Sequence, residues 1–244
     1  MLEVLEDAAA VAQKASELVH HAAIEAVTKR GRFTIALAGG STPKALYKLL
    51  ADQPGLPWAN IELFFGDERA VPPDHADSNA RMARETLTRM AFVPEARVHR
   101  IRAELPAPEA AANYEHTLRT FFPHVAFPQF DLILLGMGPD GHTASLFPHT
   151  AALREQQAWV AANWVEKLAA HRLTLTYPVL NHAAHVLFMI AGADKAPALK
   201  RVLEGDAAIE EIPTRGVKPA GQLTFLVDRA AAAQLSGVNQ SAPA

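Results

Sequence analysis

Hydrophobic residues near the start of the chain recur at helical spacing and then give way to a short apolar run. Steps of three and four residues between apolar positions 11–26, with Gly31 as a stop, predict a long helix. The run 33–37 predicts a buried strand. A glycine-rich stretch then leads into a helix whose first turn is expected to hold Pro43. The pattern is a strand, a glycine turn and a helix.

The same pattern continues to the end of the chain. Apolar runs predict further strands at about 61–65, 98–101, 131–135, 159–165, 173–176, 186–190 and 223–227. Helical spacing predicts helices at about 78–90, 109–121 and 196–203. Apolar strands that alternate with helices across short turns are typical of an α/β fold, with a mainly parallel sheet and helices on both faces. We predict one such domain over residues 1–244, with a tail that frays from about Ser236.

Composition narrows the possible functions. None of the 244 residues is cysteine, which excludes disulfides, thiolate metal sites and a cysteine nucleophile. The chain has 23 basic and 26 acidic residues, a formal net charge of −3. A broad nucleic-acid interface needs a basic face, so we expect no nucleic-acid partner. A local basic pocket for one small anion is still compatible with this balance.

The sequence also gives no indication of a membrane partner. No stretch approaches the ~20 apolar residues that a transmembrane helix needs. The first residues carry acids and lack the basic start of an export signal. We therefore expect a cytoplasmic protein. The oligomeric state cannot be inferred from the sequence, and a monomer would satisfy every pattern in it.

Polar, glycine-rich segments follow four of the predicted strands. They are GGST at 39–42, GDER at 66–69, GMGPDGH at 136–142 and GADK at 192–195. Ligands of open parallel sheets bind at the carboxyl ends of the strands, so these segments are expected to converge on one crevice. In GGST, two glycines and a helix N-terminus favour an anion, although an ordinary turn with Ser41 or Thr42 as N-cap fits the same residues.

The segment 136–142 has G-x-G-x-x-G spacing but does not favour a dinucleotide site. Asp140 would set a carboxylate where a pyrophosphate should lie, and Pro148 breaks the helix that the fingerprint should open. We interpret the segment as a polar loop that delivers Asp140 and His142 to the crevice. Histidine exchanges a proton readily near neutral pH, so His142 is the predicted general base. Nothing resembles H-E-x-x-H, and we predict no metal.

Charged residues in the other segments fit an anionic ligand. Asp67, Glu68 and Arg69 form either part of a site or a solvated turn at a strand end. Lys195 stands at a helix start, where a cation opposes the helix dipole unless an anion joins it. Arg172, just before a strand, is either a further anion ligand or a surface residue.

Taken together, these segments resemble the ordered motifs of the 6-phosphogluconolactonase family. The matching blocks are LAGGSTPKALY, FFGDERAVPPDHADSNARMARETL, FDLILLGMGPDGHTASLFP, RLTLTYPVLNHA and FMIAGADKAPALKRVLEG. The resemblance implies a three-layer relative of the Rossmann arrangement, as in glucosamine-6-phosphate deaminase. It also implies hydrolysis of 6-phospho-D-glucono-1,5-lactone to 6-phospho-D-gluconate in the oxidative pentose phosphate pathway, with no cofactor.

The resemblance also assigns roles to residues. It places the general base on His142, with Asp140 beside it. The residues expected to contact the sugar-phosphate are Gly39, Gly40, Ser41, Thr42, Asp67, Arg69, Gly141, Arg172 and Lys195. The role of Asp140, to orient the imidazole or to bind a sugar hydroxyl, stays open.

Two other functions fit a similar fold. A glucosamine-6-phosphate deaminase would resemble the chain at GGSTP and DGH, but it usually has Tyr at the position of Arg69 and a catalytic Glu at that of Phe147. A sugar-phosphate-sensing regulatory domain would be expected to carry a DNA-binding helix-turn-helix, for which the sequence shows no segment. Both comparisons favour the lactonase.

Overall fold

The structure, a computed structural model, describes residues 1–237 and contains nine strands in that range. They are β1 Leu2–Leu5, β2 Phe33–Leu37, β3 Ile61–Phe65, β4 Asp67–Arg69, β5 Leu132–Leu135, β6 Val160–Val165, β7 Ala170–Leu175, β8 His185–Ile190 and β9 Gln222–Asp228. Six of them form a sheet in the order β1-β9-β8-β5-β2-β3, with every neighbouring pair parallel.

Helices cover both faces of this parallel sheet. They are α1 Ala8–Arg30, α2 Ser41–Asp52, α3 Asn79–Ala83, α4 Ala107–Phe121, α5 Tyr177–His182, α6 Ala196–Leu203 and α7 Arg229–Ala232. Every residue of β2, β3 and β5 is buried, as expected for strands covered on both sides. Helices α1 and α2 pack together, α1 also packs on β8 and β9, and α6 packs against α7. The predicted three-layer α/β fold is confirmed.

A second, antiparallel sheet of three strands stands beside the first, in the order β4-β7-β6. Its first strand continues directly from β3 of the parallel sheet, with Gly66 at the crossing. The Gly66 N–H donates to the carbonyl of Leu37 (2.8 Å), while its own carbonyl accepts from the Leu175 N–H (2.9 Å). One continuous segment thus belongs to both sheets, and this carries the charged residues 67–69 from the end of β3 into a β-ladder.

Several predicted elements differ from the observed ones. The helix expected at 78–90 is α-helical only in α3 and continues as a π-helix over Arg84–Thr88. The strand expected at 98–101 is reduced to one bridge between Val98 and Leu63. The short elements β1, β4 and α5 were not predicted, because stretches of three to six residues show too little periodicity.

The first strand of the chain pairs with the last described strand at one edge of the parallel sheet. Strand β1 pairs with β9 from Leu2↔Phe225 to Leu5↔Asp228, and the Met1 ammonium donates to the Leu223 carbonyl (2.7 Å). Ser236, where the frayed tail was predicted to begin, donates from its N–H to Glu204 (2.6 Å). The rest of that tail, from residue 238, lies outside the described residues, so the single domain over 1–244 stays a prediction. Within residues 1–237, no helix has both the length and the apolar character that crossing a bilayer requires.

Candidate active site

A cleft of about 460 Å³ opens at the carboxyl ends of β2, β5 and β8. These strands are neighbours in the parallel sheet. The next strand of this sheet after β2 is β3, on one side, and the next after β5 is β8, on the other side, and ligands of open α/β sheets bind at such a reversal of strand order. The second sheet contributes the opposite wall through β4 and β7. Of the residues predicted from the sequence, those that line the cleft are Gly39, Gly40, Ser41, Thr42, Asp67, Arg69, His142, Arg172 and Lys195. The predicted convergence of four distant segments is therefore present in the structure.

Asp140 and Gly141 do not line the cleft but support His142 from behind. Asp140 Oδ1 lies 2.5 Å from His142 Nδ1 and also accepts from the His142 backbone N–H (3.2 Å). The imidazole stacks on Phe147 with ring centroids 4.1 Å apart and planes 22° from parallel. His142 Nε2 is the ring nitrogen left without a hydrogen-bond partner in residues 1–237. One face and one nitrogen of the ring are thus fixed, and the other nitrogen is available to a ligand.

Lys167, in the connection between β6 and β7, was not predicted as a site residue. Its ammonium contacts Asp140 Oδ2 and lies 4.8 Å from the centroid of the Phe147 ring. Burial alone would raise the pKa of Asp140, but hydrogen bonds from His142 and Lys167 outweigh it and hold the pKa below its ordinary value. Asp140 is therefore an anionic acceptor. In the neutral imidazole the proton then belongs on Nδ1, which leaves Nε2 as the basic nitrogen.

The loop that presents His142 is held by its own backbone. The Gly138 N–H donates to the His142 carbonyl (2.9 Å), and the Gly141 N–H donates to the Gly138 carbonyl (3.0 Å). Gly141 has φ +78°, and its carbonyl accepts both the N–H and the hydroxyl of Thr214. A positive φ favours glycine, so the turn geometry depends on the residue type. These bonds hold the loop in place, and no helix begins at its end. This agrees with the prediction that the segment is not a dinucleotide site.

Gly138→Ala should displace the His142 ring. A Cβ at this position would lie 2.0 Å from His142 Nδ1, far inside contact distance, so the imidazole must move. We expect kcat for the reaction proposed below to fall by ~10², the usual cost of a misplacement of about 1 Å. Gly136→Ala is the matched control in the same loop, since the nearest atom to its Cβ would be 4.0 Å away. Equal kcat values for the two variants would contradict this account of the loop.

The N-terminus of α2 supplies the anion-binding end of the cleft. The N-cap is Gly40, with φ +107° and no side-chain cap, rather than Ser41 or Thr42 as the ordinary-turn interpretation required. Without a capping side chain, the first N–H groups of the helix are open to a ligand that also benefits from the helix dipole. This corrects the N-cap assignment and favours the anion interpretation of GGST.

Two arginines face the cleft from neighbouring strands of the second sheet. Arg69 and Arg172 are directly opposite each other in the β4–β7 ladder. Burial and the neighbouring Arg69 charge lower the pKa of Arg172, and no carboxylate in residues 1–237 lies within 4 Å of its guanidinium. Lys195, at the start of α6, lines the same cleft and pairs with Asp194 (2.8 Å). Three cations that line one cleft form a site that a polyanionic group such as phosphate would stabilise.

Glu68 is a buried residue with a structural role, so the segment 67–69 is not a solvated turn. It is 2% exposed and accepts the Ser78 hydroxyl together with the backbone N–H groups of Arg69, Asn79 and Ala80. Burial raises the pKa of Glu68, although these hydrogen bonds oppose the shift. The carboxylate ties β4 to the N-terminus of α3 and so fixes the backbone that carries Arg69.

Four further cleft or support residues were missed in the sequence. Ser145 donates from its hydroxyl to Asp67 Oδ2 (2.6 Å), and Asn79 contacts both Asp67 and Arg69. Both lie inside the motif blocks quoted above, where their polar type was the only signal. Phe147 was noted only as a difference from deaminases. Lys167 had no signal, because it lies outside every block.

The chain is similar in sequence and in fold to several named proteins. It matches the family described as "Glucosamine-6-phosphate isomerases/6-phosphogluconolactonase" over residues 6–226. It is 44% identical over 238 residues to a 6-phosphogluconolactonase of Nostoc sp., covering 96% of this chain and 98% of that one. It is 43% identical over 213 residues to the 6-phosphogluconolactonase of Homo sapiens, covering 85% and 82%. The crystal structure of 6-phosphogluconolactonase from Thermotoga maritima superposes with a TM-score of 0.82 at 31% identity, covering 93% and 99%. The chain therefore belongs to the glucosamine-6-phosphate isomerase/6-phosphogluconolactonase family.

Proposed function

We propose that the protein hydrolyses 6-phospho-D-glucono-1,5-lactone to 6-phospho-D-gluconate, the lactonase step of the oxidative pentose phosphate pathway. The relatives named above support this choice within the family. The observation that carries it is the composition of the cleft, which brings His142, held by Asp140, together with the cations Arg69, Arg172 and Lys195. The pair suits hydrolysis of an ester bond, and the cations suit the phosphate of the substrate.

His142 acts as the general base in this proposal. With Nδ1 donating to Asp140, Nε2 takes a proton from a water molecule as that water attacks the lactone carbonyl carbon. The resulting tetrahedral intermediate collapses by breaking the bond between this carbon and the ring oxygen. The imidazolium then returns its proton to the departing ring oxygen, so the histidine ends in its initial state. Asp140 orients the ring and stabilises its transient positive charge.

No covalent nucleophile is needed, because a lactone is already an activated ester. Ser145 lines the cleft, but its hydroxyl donates to buried Asp67 and not to a histidine. It therefore lacks the histidine partner that activates the serine of a catalytic triad. Arg69, Arg172 and Lys195 bind the phosphate, and this remote binding energy holds the lactone carbonyl near His142.

Phe147 separates this reaction from the deaminase alternative. Family resemblance places the catalytic glutamate of a deaminase at this position, five residues after the histidine. In this chain the position holds an aromatic ring that stacks on His142 and cannot exchange a proton. This arrangement supports hydrolysis over isomerisation and deamination of an amino sugar.

A direct assay tests the proposed function. The purified protein should hydrolyse freshly generated 6-phosphogluconolactone faster than the spontaneous rate, and EDTA should not reduce the activity. No group of three His, Asp or Glu side chains in residues 1–237 is arranged to hold a metal ion. Activity that EDTA abolishes and one divalent ion restores would contradict the metal-free part. Ammonia release from glucosamine 6-phosphate without lactone turnover would assign the deaminase function instead.

A further inference from the structure

Asn79, the first residue of α3, connects three parts of the cleft wall. It is 1% exposed, and its backbone N–H donates to Glu68 (2.8 Å). Its carboxamide Nδ2 donates to the carbonyl (3.0 Å) and the carboxylate (3.3 Å) of Asp67. Its Oδ1 accepts from Nη1 of Arg69. The carboxamide thus uses its donor side on one residue of β4 and its acceptor side on another.

These bonds decide which part of Arg69 is left for a ligand. Nη1 donates to Asn79 and also to the Asp77 carbonyl (2.9 Å). The remaining N–H groups of the guanidinium, on Nε and Nη2, have no protein acceptor in residues 1–237. Arg69 lines the cleft, so these are the donors available to an anion. A guanidinium held at one nitrogen loses little further freedom when it binds a phosphate.

Asn79 also sets the position of the loop after β2. A Cβ on Gly39 would lie 2.2 Å from Asn79 Oδ1, so the glycine backbone packs directly on the carboxamide. The next residues, Gly40 and Ser41, begin the open N-terminus of α2. A single buried side chain therefore fixes the distance between Arg69 and the helix N-terminus, the two groups expected to share the phosphate.

The chemistry of this position requires a carboxamide. Asp67 needs a donor and Arg69 needs an acceptor, and asparagine offers both within one short side chain. Aspartate has the same shape, but it would set a second carboxylate against Asp67 and pair its own charge with Arg69. Alanine would remove both contacts and leave the guanidinium free to turn.

From this geometry we infer that Asn79 is a positioning residue: it aims Arg69 at the phosphate and thereby sets the preference for phosphorylated ligands. The inference rests on the proposed function and deepens it. Asn79 does not touch the reacting atoms, so its effect belongs in substrate affinity, through Arg69, and not in the chemical step.

A double-mutant cycle tests this role. Asn79→Ala should raise KM for the lactone and Kd for 6-phosphogluconate about tenfold, as expected when a hydrogen bond to a charged group is lost, with kcat within about twofold of wild type. In an Arg69→Ala background the same substitution should have a much smaller effect, because the part that acts through Arg69 is already lost and residues that act together are not additive. Asn79→Asp, which keeps the shape, should weaken 6-phosphogluconate binding at least as much.

Thr86→Val is the matched control. Thr86 is also a buried polar residue and lies in the π-helical continuation of α3, where its hydroxyl donates to the Met82 carbonyl (2.7 Å) and not to β4. Its replacement should leave KM near the wild-type value. A similar rise of KM in Thr86→Val, or independent effects of Asn79→Ala and Arg69→Ala, would overturn the inference while lactone turnover by wild type kept the proposed function. A wild type whose affinity for 6-phosphogluconate depends on Asn79 but which hydrolyses no lactone would overturn the proposed function alone.

Discussion

His142→Asn should lower kcat for 6-phosphogluconolactone by ~10²–10⁴, the usual contribution of a positioned acid–base group. Asparagine has a similar volume and is polar, but it cannot accept a proton from water at neutral pH. The proposed phosphate contacts, Arg69, Arg172 and Lys195, are different residues of the cleft, so the affinity for 6-phosphogluconate should stay close to wild type. Steady-state kinetics, corrected for spontaneous hydrolysis, and equilibrium binding of the product give the two measurements.

The companion variant His142→Ala distinguishes a general-base role of the imidazole from a purely structural one. If the imidazole only supports the loop, asparagine should keep most of the activity and alanine should also lower the free energy of unfolding. If it is the base, both variants should be slow and both should fold. Near-wild-type kcat in His142→Asn would remove His142 from the mechanism and make Asp140 the next carboxylate to test.

The pH dependence of wild-type kcat should report one group. A carboxyl with a lowered pKa loses its charge only when the pH falls through that lowered value, so Asp140 stays ionised from neutral to mildly acidic pH. Over this range kcat should fall toward acid as a single base gains a proton. A steeper fall, with two groups titrating together, would contradict the assignment of Asp140 as a permanent anion.

Arg172→Ala should lower kcat/KM by an amount equivalent to about 1.5–3 kcal/mol, the range for hydrogen bonds to charged groups. The wild-type guanidinium stands beside Arg69 without a carboxylate of its own in residues 1–237, so a bound phosphate is its expected partner. Arg69→Ala and Lys195→Ala should have effects in the same direction. Most of each loss should appear in KM, and added inorganic phosphate should inhibit the variants less than wild type.

A surface arginine provides the control for charge removal. Arg229 is exposed and pairs with Glu6 (2.8 Å), and it does not line the cleft. Its replacement by alanine should leave kcat/KM unchanged. If Arg69, Arg172 and Lys195 can each be replaced without loss, the phosphate does not bind where we propose.

Sequence patterns predicted the parallel sheet because its strands are apolar on both faces. Short apolar runs such as 33–37 and 131–135 are typical of strands that are buried on both faces of a parallel sheet. The segment 67–69 was harder to interpret, since three charged residues resemble a turn. Only the structure shows that Glu68 is buried and accepts four hydrogen bonds, and that Arg69 lies opposite Arg172 in the ladder. A charged side chain can be buried only if hydrogen-bond partners surround it, and a local sequence pattern does not reveal those partners.

The sequence predicted the site residues that belong to glycine-rich segments at strand ends. It did not predict the residues that hold those site residues in place. His142 and Lys195 stand at strand ends, where fold topology directs function. Lys167 comes from a hairpin between two other strands and reaches Asp140 across 27 positions of sequence. Asn79 falls inside the helix predicted from about residue 78, and that pattern gives no sign of its contacts with Asp67 and Arg69.

The pairing of β1 with β9 has a consequence for how the protein is made. Leu2 pairs with Phe225 in the ladder, so β1 cannot join the sheet until nearly the whole described chain has left the ribosome. The residues that line the cleft, up to Lys195, are all synthesised earlier. Contacts of such long sequence separation are slow to form. The strands that carry the cleft can thus pair on a nascent chain whose outer strand β1 is still unpaired, and until β9 is added the edge of β8 is open to association with other chains.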